Sequence, residues 1–191
     1  QKQQVAAQGY TDFKRLQSDE LVYTGLVRTA VMAVAHSVYF NGVKVGLMSE
    51  YFATMADVYR VTAELQEKND QTDTADGAEK TIAASAMRLA RMVGCNVDEF
   101  SLSQWQQLAY SLREQQLYRI QQAIEKQLSR VETRQTLILV GAGVGRFLIQ
   151  EIATRLRLEY RDFDTFFSTD LAQPEMQIAD CAPAVAVAYL A

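Results

Sequence analysis

The chain has 191 residues, a formal net charge of −4 and 49% hydrophobic residues, enough for one well-filled core or for one domain and part of another. Its charged fraction is 22% and no basic stripe stands out to neutralise a phosphate backbone, which argues against a nucleic-acid partner. Two distant cysteines, Cys95 and Cys181, exclude a disulfide framework or a CxxC zinc site and fit a reduced, cytoplasmic compartment, while no apolar run reaches the ~18–20 residues of a membrane span.

Gln1 stands where a start methionine would, as expected of a processed, truncated or partly observed chain, and no signal peptide opens it. Residues 4–8 are expected to form a short strand. Residues 11–21 read as a helical turn with Thr11 or Asp12 as cap. A β-hairpin is predicted over 33–48. The run 36–40 is rich in β-formers, Asn41-Gly42 is a type I′ turn signal, and Val43, Val45 and Leu47 alternate. Ser49 then caps a predicted helix over 50–65, with Phe52, Met55, Ala56, Tyr59 and Ala63 at helical spacing. Residues 66–80 are a polar loop, read as the most mobile part of the chain. A helix follows over 81–93, ended by Gly94, with Arg88 and Arg91 read as its solvated edge. A long one follows over 103–131. Leu108, Leu112, Leu117, Ile120, Ile124 and Leu128 line its apolar side and glutamines its other side; that side suits either a homo-oligomer or a covered sheet.

After Arg134 the pattern changes. Residues 136–140 read as a buried strand, Gly141-Ala142-Gly143-Val144-Gly145 follows at once, and 146–156 is helical. A second strand is expected over 158–162. A small-residue helix closes the chain over 180–191 with Pro183 in its first turn. Strand, glycine loop and helix together aim backbone N–H groups and a helix N-terminus at an anion. Gly141, Gly143 and Gly145 are therefore candidate phosphate- or nucleotide-binding residues. The G-x-G-x-G spacing is weak evidence by itself, and a tight turn needed only for strand–helix packing competes with it. A nicotinamide site competes too, because Asp162 follows about 20 residues later, where a ribose-binding acid sits. Against that, such a fingerprint normally opens a long βαβ series, and this one comes late.

Other residues divide between chemistry and structure. Glu50 and Asp57 are seven apart and would share one face of the predicted helix, as acid/base or metal-binding carboxylates. The competing reading places Glu50 in a first helical turn and Asp57 in solvent. Tyr23, Thr24, Arg28 and Thr29 surround Gly25 as candidate substrate-binding groups, Arg28 as a clamp for phosphate or carboxylate, with a plain surface arginine as its alternative. His36, the only histidine, reads as a strand-face residue rather than a base. Asp73 and Asp76 are either Mg²⁺ ligands or solvated loop acids. Cys181 is either activated by a helix N-terminus or a small packing residue. Among Tyr39, Phe40, Tyr51, Phe52 and Tyr59, which could stack on a ring, Phe52 and Tyr59 read as core.

The stretches LVYTGLVRT (21–29), EYFATMADVY (50–59), RLAR (88–91) and LILVGAGVGR (137–146), with the small-residue tail DCAPAVAVAYLA (180–191), carry a family resemblance. Loop and tail resemble the adenosine side of the actin-like ATPase and sugar-kinase superfamily. The other stretches are similar to the hydantoinase A/oxoprolinase-like family, within it to the tetrahydromethanopterin-linked one-carbon transfer branch. The resemblance implies an α/β fold: a partial ribonuclease-H-like (actin-like ATPase) domain with a helical insertion. Residues 1–48 and 135–191 would belong to that domain and 49–134 to the helical segment. It further implies a biosynthetic enzyme of a methanofuran-type carrier that joins a phosphorylated furan to a phenol or amine acceptor. Mg²⁺ is the expected metal, and ATP or a diphosphate substrate the expected phosphate ligand. The family's two earlier phosphate loops do not occur in the chain, so it resembles the C-terminal part of a longer protein. A missing N-terminal half or a partner chain would complete the cleft. The alternatives are a non-catalytic subunit completed by a partner and a nicotinamide-dependent oxidoreductase.

Overall fold

A computed structural model describes residues 7–131, 137–167 and 177–190. The chain is mixed α/β, with six α-helices and two two-stranded sheets among these residues. It divides into two compact units, Gln1–Gln127 and Leu128–Ala191. The strand expected over 4–8 falls mostly outside the described residues; Ala7 and Gln8 are in no regular element.

In the first unit, α1 spans Asp12–Ser18, with the Thr11 hydroxyl accepting from the Lys14 N–H. The hairpin consists of β1 (Ser37–Phe40) and β2 (Val43–Gly46) in antiparallel register, Phe40 opposite Val43. Its two-residue turn has φ of 49° at Asn41 and 79° at Gly42, the positive pair that a type I′ turn demands. Helix α2 is Met55–Val61, much shorter than expected. Residues 50–52 form a bend and Ala53 is in no regular element. The helix starts where Thr54-x-x-Asp57 forms a capping box, the Asp57 Oδ2 accepting from the Thr54 N–H at 3.0 Å. It ends before Ala63, whose φ of 60° is left-handed. Glu50 and Asp57 therefore do not share a helix face.

Helix α3 (Ile82–Met92) begins on the Thr81 cap and ends at Gly94, φ 73°. The Cys95 N–H returns to the Ala90 carbonyl at 3.0 Å, which satisfies a carbonyl the helix would otherwise leave open. Helix α4 runs Leu102–Leu128. Leu108, Leu112, Leu117 and Leu128 are buried, and Trp105 packs between Phe40 at 5.2 Å and Phe100 at 5.5 Å. These rings fasten the hairpin to α4.

The second unit is one strand–helix–strand turn. Parallel strands β3 (Ile138–Gly141) and β4 (Glu159–Asp162) flank α5 (Arg146–Leu156). Leu148, Ile152 and Ala153 of α5 are buried. Register sets Gly141 opposite Asp162. Helix α6 is Ala182–Leu190, and Tyr189 meets Phe167 edge to face at 5.7 Å. No helix among the described residues is long and apolar enough to cross a membrane.

Candidate functional site

Asp57 joins α2 to α3 in the first unit. It is 2% exposed. Beyond its capping bond, its Oδ1 accepts from the Ser85 hydroxyl at 2.8 Å and from Arg88 Nε at 2.7 Å. Arg88 is fully buried. Its remaining nitrogens reach Asp76 at 3.0 Å and the Glu79 carbonyl at 3.2 Å. Arg60, one turn after Asp57, bonds Glu67 at 2.7 Å, Asp70 at 2.6 Å and Ser85 at 3.1 Å. Lys80 donates to the Asp70 carbonyl. The expectation that Arg88 lies on a solvated helix edge is thus corrected. Arg91 keeps the exposed position, while Arg88 turns inward because a buried carboxylate awaits it. The loop over 66–80 supplies the counter-ions for both arginines.

Burial alone would raise the Asp70 carboxyl, but bonds from Arg60 and Thr72 and the charge of Lys80 hold it below the ordinary carboxylate range. Asp76 is lowered likewise: burial opposes the shift, while the Ala78 N–H and Arg88 drive it. Depressed folded-state values add stability that is full above the ordinary carboxylate pKa and lost as pH falls through the lowered ones. Acid titration followed by circular dichroism should therefore show unfolding that moves to higher pH in Asp70→Asn; an unmoved acid midpoint would contradict the linkage.

The loop before the hairpin is held from α4. Gln116, 1% exposed, accepts from the Tyr59 hydroxyl at 2.6 Å and donates to Thr24 Oγ1 at 2.7 Å and the Gly25 carbonyl at 3.0 Å. Thr29 Oγ1 takes the Gly25 N–H at 2.7 Å. Thr24 and Thr29 therefore shape the loop, and Tyr23 (79% exposed) and Arg28 are presented to solvent. The segment bearing Arg28 is stitched to the start of α2 by Val31–Ala53, Met55–Thr29 and Ala56–Val27 backbone bonds. Glu50 lies three residues ahead of that seam, exposed, and its carboxylate has no bond among the described residues. Replacing Gln116 with Leu removes the amide that accepts from the Tyr59 hydroxyl and donates to the Gly25 carbonyl. It should cost about 1–3 kcal/mol in urea unfolding, and a cost near zero would show the network to be idle.

In the second unit, the glycine loop is tied to its own chain. Gly143 has φ 78° and donates its N–H to the Ala179 carbonyl at 2.6 Å. Gly145 caps α5. A Cβ on Gly141 would collide with the Tyr160 ring. Arg146, first residue of α5, binds Asp162 at 3.0 Å and Asp180 at 2.5 Å, and also reaches Gln177. Burial would lower the Arg146 pKa, but Asp180, Asp162 and Asp164 raise it. Burial and the Asp162 charge push the Tyr160 phenol up. An anion at this loop meets three carboxylates against one guanidinium. A phosphate ligand here needs an accompanying cation, and to use the Gly143 donor it must displace the Ala179 carbonyl. Asp162 is spatially beside Gly141, as a ribose acid would be, yet its carboxylate is engaged by Arg146 and Tyr160.

Among the described residues no three His, Cys, Asp or Glu side chains converge as metal ligands. His36 precedes β1 and is exposed; Cys95 and Cys181 are free thiols, partly covered. Phe40 and Tyr59 are core, while Tyr39 and Tyr51 are exposed. Sequence reasoning missed Arg60, Ser85, Asp70, Gln116 and Arg146. The spacing Asp57-x-x-Arg60 with Ser85-x-x-Arg88 on an otherwise apolar face was the available signal for Arg60 and Ser85.

A sequence profile of the family described as hydantoinase/oxoprolinase matches residues 1–185. Two curated relatives are named (4-{4-[2-(gamma-L-glutamylamino)ethyl]phenoxymethyl}furan-2-yl)methanamine synthase. The one from Methanocaldococcus jannaschii is 39% identical over 83 residues, 44% of this chain and 25% of the relative. The one from Methanococcus vannielii is 29% identical over 96 residues, 50% of this chain and 43% of the relative. The matched chain thus spans between a quarter and less than half of these relatives' length.

Proposed function

The chain belongs to the hydantoinase/oxoprolinase family, and from that premise we propose that it is part of a methanofuran-type biosynthetic enzyme that makes an aryl furylmethyl ether. The 39% identity to a synthase of a phenoxymethylfuran carries this reading. In the proposed step the acceptor's phenol oxygen attacks the furylmethyl carbon. A C–O ether bond forms and the carbon–oxygen bond to the diphosphate breaks. The electron pair leaves on the diphosphate, and the phenol proton passes to Glu50.

Of the two carboxylates expected to act, Glu50 is the exposed one, and we assign it acceptor activation. Asp57, with both oxygens taken up by Thr54, Ser85 and Arg88, holds the elements that present the Tyr23–Arg28 loop, where Arg28 meets phosphate or carboxylate. Gly141, Gly143 and Gly145 are proposed to face the diphosphate, or ATP if the complete enzyme uses it. Mg²⁺ would arrive with that ligand and offset the charge of the carboxylates around Arg146. The proposal includes a ribonuclease-H-like domain of 1–48 and 135–191 with 49–134 as helical insertion, completed by an N-terminal half or partner chain, in the cytoplasm.

The test is to incubate the full-length protein with a furylmethyl diphosphate amine and a 4-alkylphenol and to follow ether mass and diphosphate release. Stoichiometric ether and diphosphate are expected. Neither product, with thermal stabilisation by NAD alone, would favour the oxidoreductase reading that the position of Asp162 beside Gly141 suggests. Gly143→Val places a β-branched residue at positive φ, a cost of about 1–2 kcal/mol. It should abolish protection of the protein by diphosphate in a thermal shift, and retained protection would move the phosphate site elsewhere.

A further inference from the structure

The first unit carries a groove of about 350 Å³ between α1, residues 21–23 and α4, within the size range of small-molecule sites. Arg119, Gln122, Ala123 and Lys126 project from one face of α4, because they recur at three, four and seven residues. Leu16 and Leu21 supply apolar wall, and Tyr23 stands at the edge, 79% exposed. Lys126 pairs with Asp19 across the groove. Arg119 gives one donor to the Ala33 carbonyl at 3.4 Å. The groove therefore offers two cations, one carboxylate and an aromatic edge.

We propose that this groove binds the γ-glutamyl end of the phenolic acceptor, an inference that rests on the ether-forming reading above. The chemistry is complementary. A γ-glutamylamide ends in an α-carboxylate and an α-ammonium. The carboxylate meets Lys126 and Arg119 and the ammonium meets Asp19. One exposed ion pair is thereby exchanged for three charge-assisted contacts. The ethylphenol arm lies along Leu16 and Leu21, and its ring packs on Tyr23. The groove then sets acceptor specificity, since an acceptor lacking the glutamyl group leaves the charged end unmatched.

Calorimetric titration of the full-length protein with γ-L-glutamyltyramine and with tyramine reads this directly. The glutamylated phenol should bind more tightly. Arg119→Ala and Lys126→Ala should each lower that preference about five-fold, the worth of one exposed charged contact, without weakening tyramine binding. Both side chains are solvent-facing, and far-ultraviolet dichroism checks that the variants fold. No binding of γ-glutamyltyramine, equal affinity for the two ligands, or a preference that survives both substitutions overturns the proposal. Ether formation is scored separately. A groove-dependent preference without ether formation sinks the transfer reaction and leaves the groove; ether formation without groove dependence does the reverse.

Discussion

Arg88→Met is expected to lower the unfolding free energy of the protein by about 3–5 kcal/mol, the cost of removing one partner from a buried ion pair. The guanidinium of Arg88 has no exposed surface and Asp57 only 2%. Deleting the cation leaves the carboxylate with Ser85 and a backbone N–H as its near partners, and Arg60 at 3.6 Å. Methionine fills most of the volume, so the loss reads charge rather than cavity. Asp76 and the Glu79 carbonyl lose their donor as well, which should loosen residues 76–80 toward α3. The paired variant Asp57→Asn/Arg88→Met should cost less than the sum of its single changes, because the second substitution removes the charge that the first strands. Urea unfolding followed by tryptophan fluorescence measures both, since Trp105 is 1% exposed in the same core. A loss below about 1 kcal/mol, the range of exposed pairs, would mean that water compensates the carboxylate.

Glu50→Gln is expected to lower kcat for ether formation by about 10²–10⁴-fold, the usual contribution of a positioned general base. The carboxylate is exposed and lies three residues before the seam that carries Arg28, so the substitution should leave the melting temperature unchanged. Glu50→Asp should recover part of the rate, since the base is retained one methylene shorter. A Gln variant with wild-type kcat would remove Glu50 from the chemistry. A variant with an altered melting temperature and a rate that Glu50→Asp does not rescue would make it structural.

Much of the local structure was legible because its signals are local. Asn41-Gly42 dictates a hairpin by backbone sterics alone, and Thr81 and Gly94 bracket α3 with a cap at each end. The step from β3 through the glycines to α5 also follows from sequence, since a β-branched run cannot continue through three glycines. The start of α2 was misplaced for an equally local reason. Ser49 and Glu50 imitate a helix start, but Thr54 and Asp57 form the reciprocal pair that satisfies two backbone donors.

The interior of the candidate site was less legible. Whether Arg88 faces water or a carboxylate depends on a partner 31 residues away, and charge along a helix does not tell the two apart. Gln116 is one of many glutamines on α4, and only its long-range bonds to Tyr59 and Thr24 single it out. Arg146 looked like an ordinary first-turn residue of α5. Its role arises because β4 and residues 177–181 bring Asp162 and Asp180 to it. The glycine loop thus has a different neighbourhood from the one its sequence suggests: acidic, and bonded to the Ala179 carbonyl.

In the proposed reaction the phenol oxygen of the acceptor displaces diphosphate at the furylmethyl carbon. Isotope tracing tests it most directly. The full-length protein is given furylmethyl diphosphate amine and γ-L-glutamyltyramine labelled with ¹⁸O at the phenol, and products are weighed by mass spectrometry. All label should be retained in the ether and none should enter phosphate or diphosphate. Label in a phosphorus-containing product, or an acceptor joined through nitrogen with its labelled phenol free, would contradict it.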